Sequence, residues 1–138
     1  MDDVLLNKYA IIQRCLKRVN EEYQGHEQEL ASNFTRQDAI ILNIQRACQA
    51  AQDMANRMIR VKQLGVPQNS RESFSLLADQ QYISVELADT LMKMVGFRNI
   101  AVHEYQKLNI AILQSVIEKH LPDIQDFAEQ LMKVEDFG

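Results

Sequence analysis

Tryptophan is absent from this chain of 138 residues, and proline, cysteine and glycine are scarce, at two, two and four copies. So few turn-forming residues argue against a sheet joined by many tight turns and favour long helices. Neither Cys15 nor Cys48 stands in a CxxC or CxxH spacing; they read as small core residues in a reducing cytoplasm, with a disulfide or metal site as the alternative. Met1 is followed by Asp2 and Asp3 rather than a basic n-region and an apolar run, so no signal peptide is visible. No stretch approaches the ~20 uninterrupted apolar residues of a membrane span, and a cytoplasmic location is expected. The P-loop, GxGxxG, HExxH and GxSxG signatures are all missing. The three histidines are far apart and none has a partner at metal-ligand spacing, so no metal is expected. His26 reads as a surface residue, and His120, beside Leu121 and Pro122, as a packing or capping one. The acidic pairs Asp2–Asp3 and Glu21–Glu22 read as solvated helix ends rather than catalytic carboxylates.

What is present suits one domain over residues 1–138, with 46% hydrophobic and 25% charged residues. The net charge is −4 and unevenly spread. Acidic residues gather near both ends, while Arg46, Arg57, Arg60, Lys62 and Arg71 make the middle locally basic. Such a region is either a solvated helix face or a surface able to hold a few phosphates.

Apolar residues recur at helical spacing. Leu5, Ile12, Cys15, Leu16, Val19 and Tyr23 predict a helix from about Asp3 to Tyr23, followed by a polar loop or short helix over Gly25–Asn33. Thr35, with Asp38 three residues on, predicts the N-cap of a long helix that ends near Leu64 at Gly65. Its main stripe is Ile41, Ile44, Cys48, Ala51, Ala55 and Met58. A second stripe of Ile40, Ala47 and Met54 predicts burial on more than one side. Ser70 and Ser84 are read as caps of the next two helices, with Glu86 placed to complement the second helix's dipole. A final helix from about Asn109 to Lys133 carries Leu113, Val116, Ile117, Leu121, Ile124, Phe127 and Leu131, and Pro122 should kink it. The expectation is an all-α bundle of four or five main helices.

Between Met94 and Tyr105 an apolar helix acquires Arg98, Asn99, His103 and Tyr105. At ~100° per residue, Arg98 and Tyr105 fall within ~20° of each other, and Asn99 and His103 within ~40°. Phe97, Ile100 and Ala101 are expected to face the core, and Gly96 to leave room beside His103 for a ligand or a second backbone. The set suits phosphodiester chemistry without a metal. Arginine grips phosphate and stabilises charge on its oxygens, and histidine moves protons near neutral pH. In RNA the 2′-hydroxyl is an internal nucleophile. One Arg–His pair supplies one acid/base where cleavage usually needs two, which a symmetric dimer would provide. The spacing alone is equally compatible with interhelical hydrogen bonding.

The segment GFRNIAVHEY resembles the Rx4HxY motif of HepT toxins, a branch of the HEPN superfamily, with Arg98, His103 and Tyr105 in the motif positions and Asn99 as the polar residue after the arginine. The Asp38–Ala39–Ile40 opening of the alanine-rich helix, the short middle helix and the closing helix extend the likeness over most of the chain. Gln80–Ser84 departs from the Trp- or Pro-rich stretch of many relatives, and Asn109 stands near where an aspartate is common. The resemblance implies a four- to five-helix up-and-down bundle that homodimerises, placing two motifs in one cleft. It implies a toxin that cleaves RNA without metal, with Arg98 and His103 catalytic and Asn99 supporting. The implied partner is an MNT-type nucleotidyltransferase antitoxin, MntA, which transfers AMP to Tyr105; ATP and magnesium belong to that partner, and this chain needs no cofactor. The alternatives are a non-catalytic HEPN module that binds nucleotide or docks a nucleotidyltransferase, and a helical adaptor.

Overall fold

Asp2 begins the structure by capping its first helix and pinning it to the second. Its side chain accepts from the Leu5 backbone N–H at 3.0 Å and from Arg57 Nε and Nη2 at 3.0 and 2.9 Å. The computed structural model describes residues 2–103 and 108–137. Helix α1 spans Asp3–Tyr23, a 3-10 turn follows at Glu27–Glu29, and α2 spans Phe34–Lys62. Then come α3 (Ser70–Asp79) and α4 (Val85–His103). The chain closes with α5 (Ile110–Ser115), a π turn (Val116–His120) and α6 (Leu121–Phe137), which run on as one helix. That makes five helices among the described residues, with no strand. None of them is long and apolar enough to cross a membrane.

Helix α2 is the centre, packing against α1, α3, α4 and α6. Both of its expected stripes are buried, together with Ala50 and Ile59. The alanines let neighbouring backbones approach closely, so one helix serves as a shared wall. Phe74 of α3 meets Phe127 of α6 edge-on, with centroids 5.5 Å apart, closing the core opposite. Cys15 and Cys48 are free and buried, as expected.

Several helix ends differ from the sequence expectation. Asn33, not Thr35, caps α2, accepting from Arg36 N at 3.0 Å. Arg36 then reaches Glu22 through both its carbonyl (2.8 Å) and its carboxylate (3.1 Å), so the end of α1 is tied to the start of α2. The C-terminus of α2 comes at Lys62, two residues before Leu64, because Gln63 takes the left-handed conformation (φ 55°) expected of Gly65. Leu64 N–H bonds back to Ile59 O at 2.9 Å, which satisfies a terminal carbonyl. Asn69 rather than Ser70 caps α3. The Asp2 and Glu22 carboxylates serve as ties between helices rather than solvated ends. In each case an asparagine or aspartate just outside the periodic segment wins the cap, since its short side chain reaches the N–H three residues on.

Pro122 acts one turn earlier than a simple kink. Lacking an N–H, it leaves a carbonyl in the preceding turn unpaired, and the helix widens there, with Leu121 N–H bonding Val116 O five residues back. Tyr23 fastens this turn to α1 by donating to Glu118 at 2.9 Å. Burial first, then the Glu118 hydrogen bond, push the Tyr23 phenol up to about 12.

Asp2 gives a test of these ties. The Arg57 hydrogen bond and the Leu5 N–H hold its carboxyl below the usual range, so its contribution is present above the unfolded pKa of ~3.9 and fades as pH falls through the folded one. Asp2→Ala should cost about 1–2 kcal/mol in urea unfolding at neutral pH, and the gap from the parent should close in acid. A gap that persists at low pH would contradict this role.

Candidate functional site

Arg98, Asn99 and His103 stand on the last two described turns of α4. Ser84 Oγ accepts from Leu87 N at 3.0 Å to start the helix as expected, and Glu86 lies in its first turn. Leu91, Met94, Val95, Phe97 and Ala101 are buried, and His103 occupies the last turn, where a cation is favoured by the helix dipole.

The structure divides the motif rather than gathering it on one face. Arg98 follows Leu91 by seven residues and therefore projects within ~20° of it, toward the core side. It is half-buried. Its neighbours at a narrow crevice include Cys48 and Gln52 of α2, Phe74 of α3 and Ile124 of α6. Asn99 and His103 are exposed on the outward face, ~140° from Arg98 in the case of His103. No hydrogen bond joins Arg98 to His103 among the described residues. Tyr105 lies outside the described residues.

Two further expectations are corrected. Ile100 does not face the core but is 40% exposed, as is Val102 at 46%, because α4 here runs past the edge of what α2 and α6 cover. Gly96 does not leave a vacancy. A Cβ there would lie 3.3 Å from Arg71 Nη2, and Arg71 Nε donates to the Met92 carbonyl at 3.4 Å. The missing side chain makes room for a second guanidinium, folded onto α4 from α3. Asn109, one of the two departures noted, caps α5 through Ala111 N (2.7 Å) and Ile112 N (3.4 Å), a task an aspartate would perform equally.

The crevice beneath Arg98 holds about 10 Å3 of free space, too little for a ligand, so any phosphate meets Arg98 at its mouth. Cys48 is fully enclosed there. Burial pushes its thiol up to about 12, outweighing the opposing pull of the Arg98 charge, so it stays protonated and is no nucleophile. Gln52 is 6% exposed, and its Oε1 has no hydrogen-bond partner, while its Nε2 makes only a 3.5 Å contact with Asn56 Oδ1. Asn56 Oδ1 already accepts from Ser73 Oγ at 2.6 Å. The sequence carried a signal for Gln52, a polar residue one turn after Cys48 in an apolar stripe, and for Arg71 as part of the basic middle; neither was connected to α4. His26 and His120 contact Glu29 (2.9 Å) and Asp123 (3.4 Å) within their own turns. Among the described residues no group of three or more His, Cys, Asp or Glu could hold a metal ion.

Comparison with known proteins follows the same outline. The family described as ribonuclease HepT-like matches residues 12–131. The mRNA nuclease HepT of Shewanella oneidensis is 49% identical over 129 residues, covering 94% of this chain and 96% of that protein. The solved tri-AMPylated HEPN toxin of Shewanella oneidensis, in complex with its MNT antitoxin, superposes with a TM-score of 0.91. It is 48% identical over 97% of this chain and 99% of that one. A toxin–antitoxin structure with AMP-PNP gives a TM-score of 0.90 at 46% identity, over 95% and 99% of the two chains.

The unpaired carbonyl of Gln52 yields a stability test. A buried acceptor without a donor costs ~1–3 kcal/mol, so Gln52→Leu, close in volume, should leave unfolding free energy unchanged or raise it by about 1 kcal/mol. A loss above ~1 kcal/mol in denaturant titration would mean that the carbonyl is satisfied in the folded protein.

Proposed function

This chain belongs to the HepT-like ribonuclease family, and from that premise we propose that it is the toxin of a toxin–antitoxin pair, an endoribonuclease with Arg98 and His103 as its catalytic residues. The observation that carries this reading is the placement of Arg98. Arg98, always charged, is half-buried at a crevice that it lines with Cys48, Gln52, Phe74 and Ile124, a donor fork for a phosphodiester. His103, exposed one and a half turns on, takes the proton from the RNA 2′-hydroxyl. The 2′ oxygen attacks phosphorus, Arg98 stabilises the charge on the non-bridging oxygens, and the bond to the 5′ oxygen breaks. The leaving 5′ oxygen needs a proton from a second acid. Asn99 beside His103 orients the imidazole or the phosphate. Because the RNA supplies its own nucleophile, we assign no metal or cofactor to this chain.

The second acid comes from a second copy. Helix α4 also exposes apolar side chains outward, with Ile100 and Val102 beside His103, and adjoining exposed apolar residues suit a contact with another chain. Pairing two such faces about a two-fold axis places two Arg98–His103 sets in one cleft. The partner is an MNT-type nucleotidyltransferase antitoxin, as for the solved Shewanella relative. It neutralises the toxin at Tyr105, two residues beyond His103. The tyrosine oxygen attacks the α-phosphate of ATP, pyrophosphate leaves, and the AMP phosphate then occupies the ground that RNA needs. ATP and magnesium are used by the antitoxin, and the pair acts in the cytoplasm.

Arg98→Ala and His103→Ala should each lower RNA cleavage by at least ~10²-fold, in line with the loss of an acid/base or an anion-stabilising donor, while circular dichroism stays helical. Persistent cleavage and growth arrest in either variant would overturn the assignment; Arg98-dependent binding with no cleavage by the parent dimer would make the chain a docking module. Incubation with the antitoxin and ATP should add AMP-sized masses that Tyr105→Phe abolishes. The same increments on the Phe variant would move the acceptor elsewhere.

A further inference from the structure

The other face of α2 carries a second feature that the cleavage site does not use. Where α1 and α2 lie side by side, a groove of about 840 Å3 runs along their outer surface. Its α2 residues, such as Leu42, Arg46 and Asp53, lie roughly opposite Cys48, Ala51 and Gln52, the α2 residues at the Arg98 crevice. Five cations and two carboxylates line the groove, on a chain whose net charge is −4. Both carboxylates are engaged: Asp53 by Lys8 at 3.1 Å and Glu21 by Arg18 at 3.6 Å. Arg14, Lys17 and Arg46 are left with no acidic partner among the described residues. Arg14 and Lys17 stand one turn apart on α1, and Arg46 faces them from α2. Arg14 on α1 and Arg46 on α2 thus line the groove from its two walls, with Cys15 between them.

Three unpaired cations held close together repel one another, a cost that an anion bridging them would relieve. The floor is apolar, with Ile11, Ala50 and a 43% exposed Leu42, which deepens the field by keeping water away. No aromatic side chain lines the groove, so bases find no stacking platform and the grip falls on the ribose–phosphate backbone.

We propose that the α1–α2 groove is a second RNA-binding surface, on which Arg14, Lys17 and Arg46 hold the backbone of single-stranded RNA away from the cut. This rests on the reading of the chain as a ribonuclease. The grip is independent of sequence and acts only on RNA long enough to pass from the Arg98 crevice around the helix pair. Short substrates do not feel it.

The test uses the dimer with Arg14→Gln, Lys17→Gln and Arg46→Gln combined, and Lys17→Glu alone as a milder variant should the triple one fail to fold. Binding is measured in a His103→Ala background, where RNA is not consumed. The triple variant should weaken binding of a long unstructured RNA at least about tenfold and flatten its log–log salt dependence by about 2, for three lost phosphate contacts at ~0.7 each. Lys17→Glu should weaken it in the same direction and to a smaller degree. In the active background, kcat on an RNA of a few nucleotides should be unchanged while KM for long RNA rises. Unchanged affinity and salt slope overturn the proposal, whether or not the chain cleaves RNA. A defect confined to antitoxin association would also overturn it and make the groove a protein-docking surface. A parent that neither binds nor cleaves RNA removes the ribonuclease reading itself.

Discussion

The packing of α2 against four other helices is the constraint from which the rest follows. Ala47, Ala50, Ala51 and Ala55 are almost fully enclosed, and only side chains this small let several helices approach one axis at native packing density. A helix so placed must fix its neighbours at both ends. It does so with Arg36 on Glu22 and Arg57 on Asp2, which set α1 lengthwise against it. Its buried polar residues then need partners. Gln37 finds one in the Leu30 carbonyl at 3.0 Å, holding the loop after the 3-10 turn. Gln52 finds half of one, and that deficit sits at the crevice where Arg98 enters.

Arg98 is where this scaffold meets chemistry. A guanidinium on a core-facing stripe is costly unless it keeps contact with solvent, and Arg98 is only half-buried. The same arrangement restrains the rotamers of a long side chain, so less freedom is lost when it grips an anion. The proposed catalytic pair is thereby split across ~140° of one helix. One α4 supplies a single proton-transfer group, His103, on the face away from Arg98. The division supplies the logic of the proposed dimer: the exposed Ile100 and Val102 invite a second helix, and the second helix brings the missing group.

Periodicity carried most of the fold. The apolar stripes of α1, α2 and α6 are long and regular, and burial follows them almost residue by residue. What could not be read was local competition. Thr35 and Ser70 were plausible caps, yet Asn33 and Asn69 lay nearer the true starts, and several capping residues in a row cannot be ranked without the tertiary frame. The segment Arg98–His103 stood out as chemistry because charged and polar residues interrupt an apolar helix. Its division between two faces follows from the five-residue step between Arg98 and His103, but which of those faces is covered is a fact of packing that no single helix records. Gly96 was misread for the same reason, since the guanidinium that fills its space arrives from α3. Gln52 was legible in principle as the one amide on the Cys48 stripe, but its nearness to Arg98 is a fact of packing.

Net charge is a poor guide to what such a molecule binds, because most of its charges are spent on its own architecture. Arg36, Arg57, Lys8 and Arg18 are each matched to a carboxylate within 4 Å, and Arg71 lies against the α4 backbone. Of the cations that remain, Arg14, Lys17 and Arg46 line the α1–α2 groove and Arg98 lines its own crevice. A field that reverses sign over short distances can draw in a polyanion at chosen places while the rest of the surface turns it away. For an acidic chain of a ribonuclease-like family, the proposed reading has a mechanistic consequence. Contact is confined to a path, and the path is set by which arginines the fold leaves unpaired.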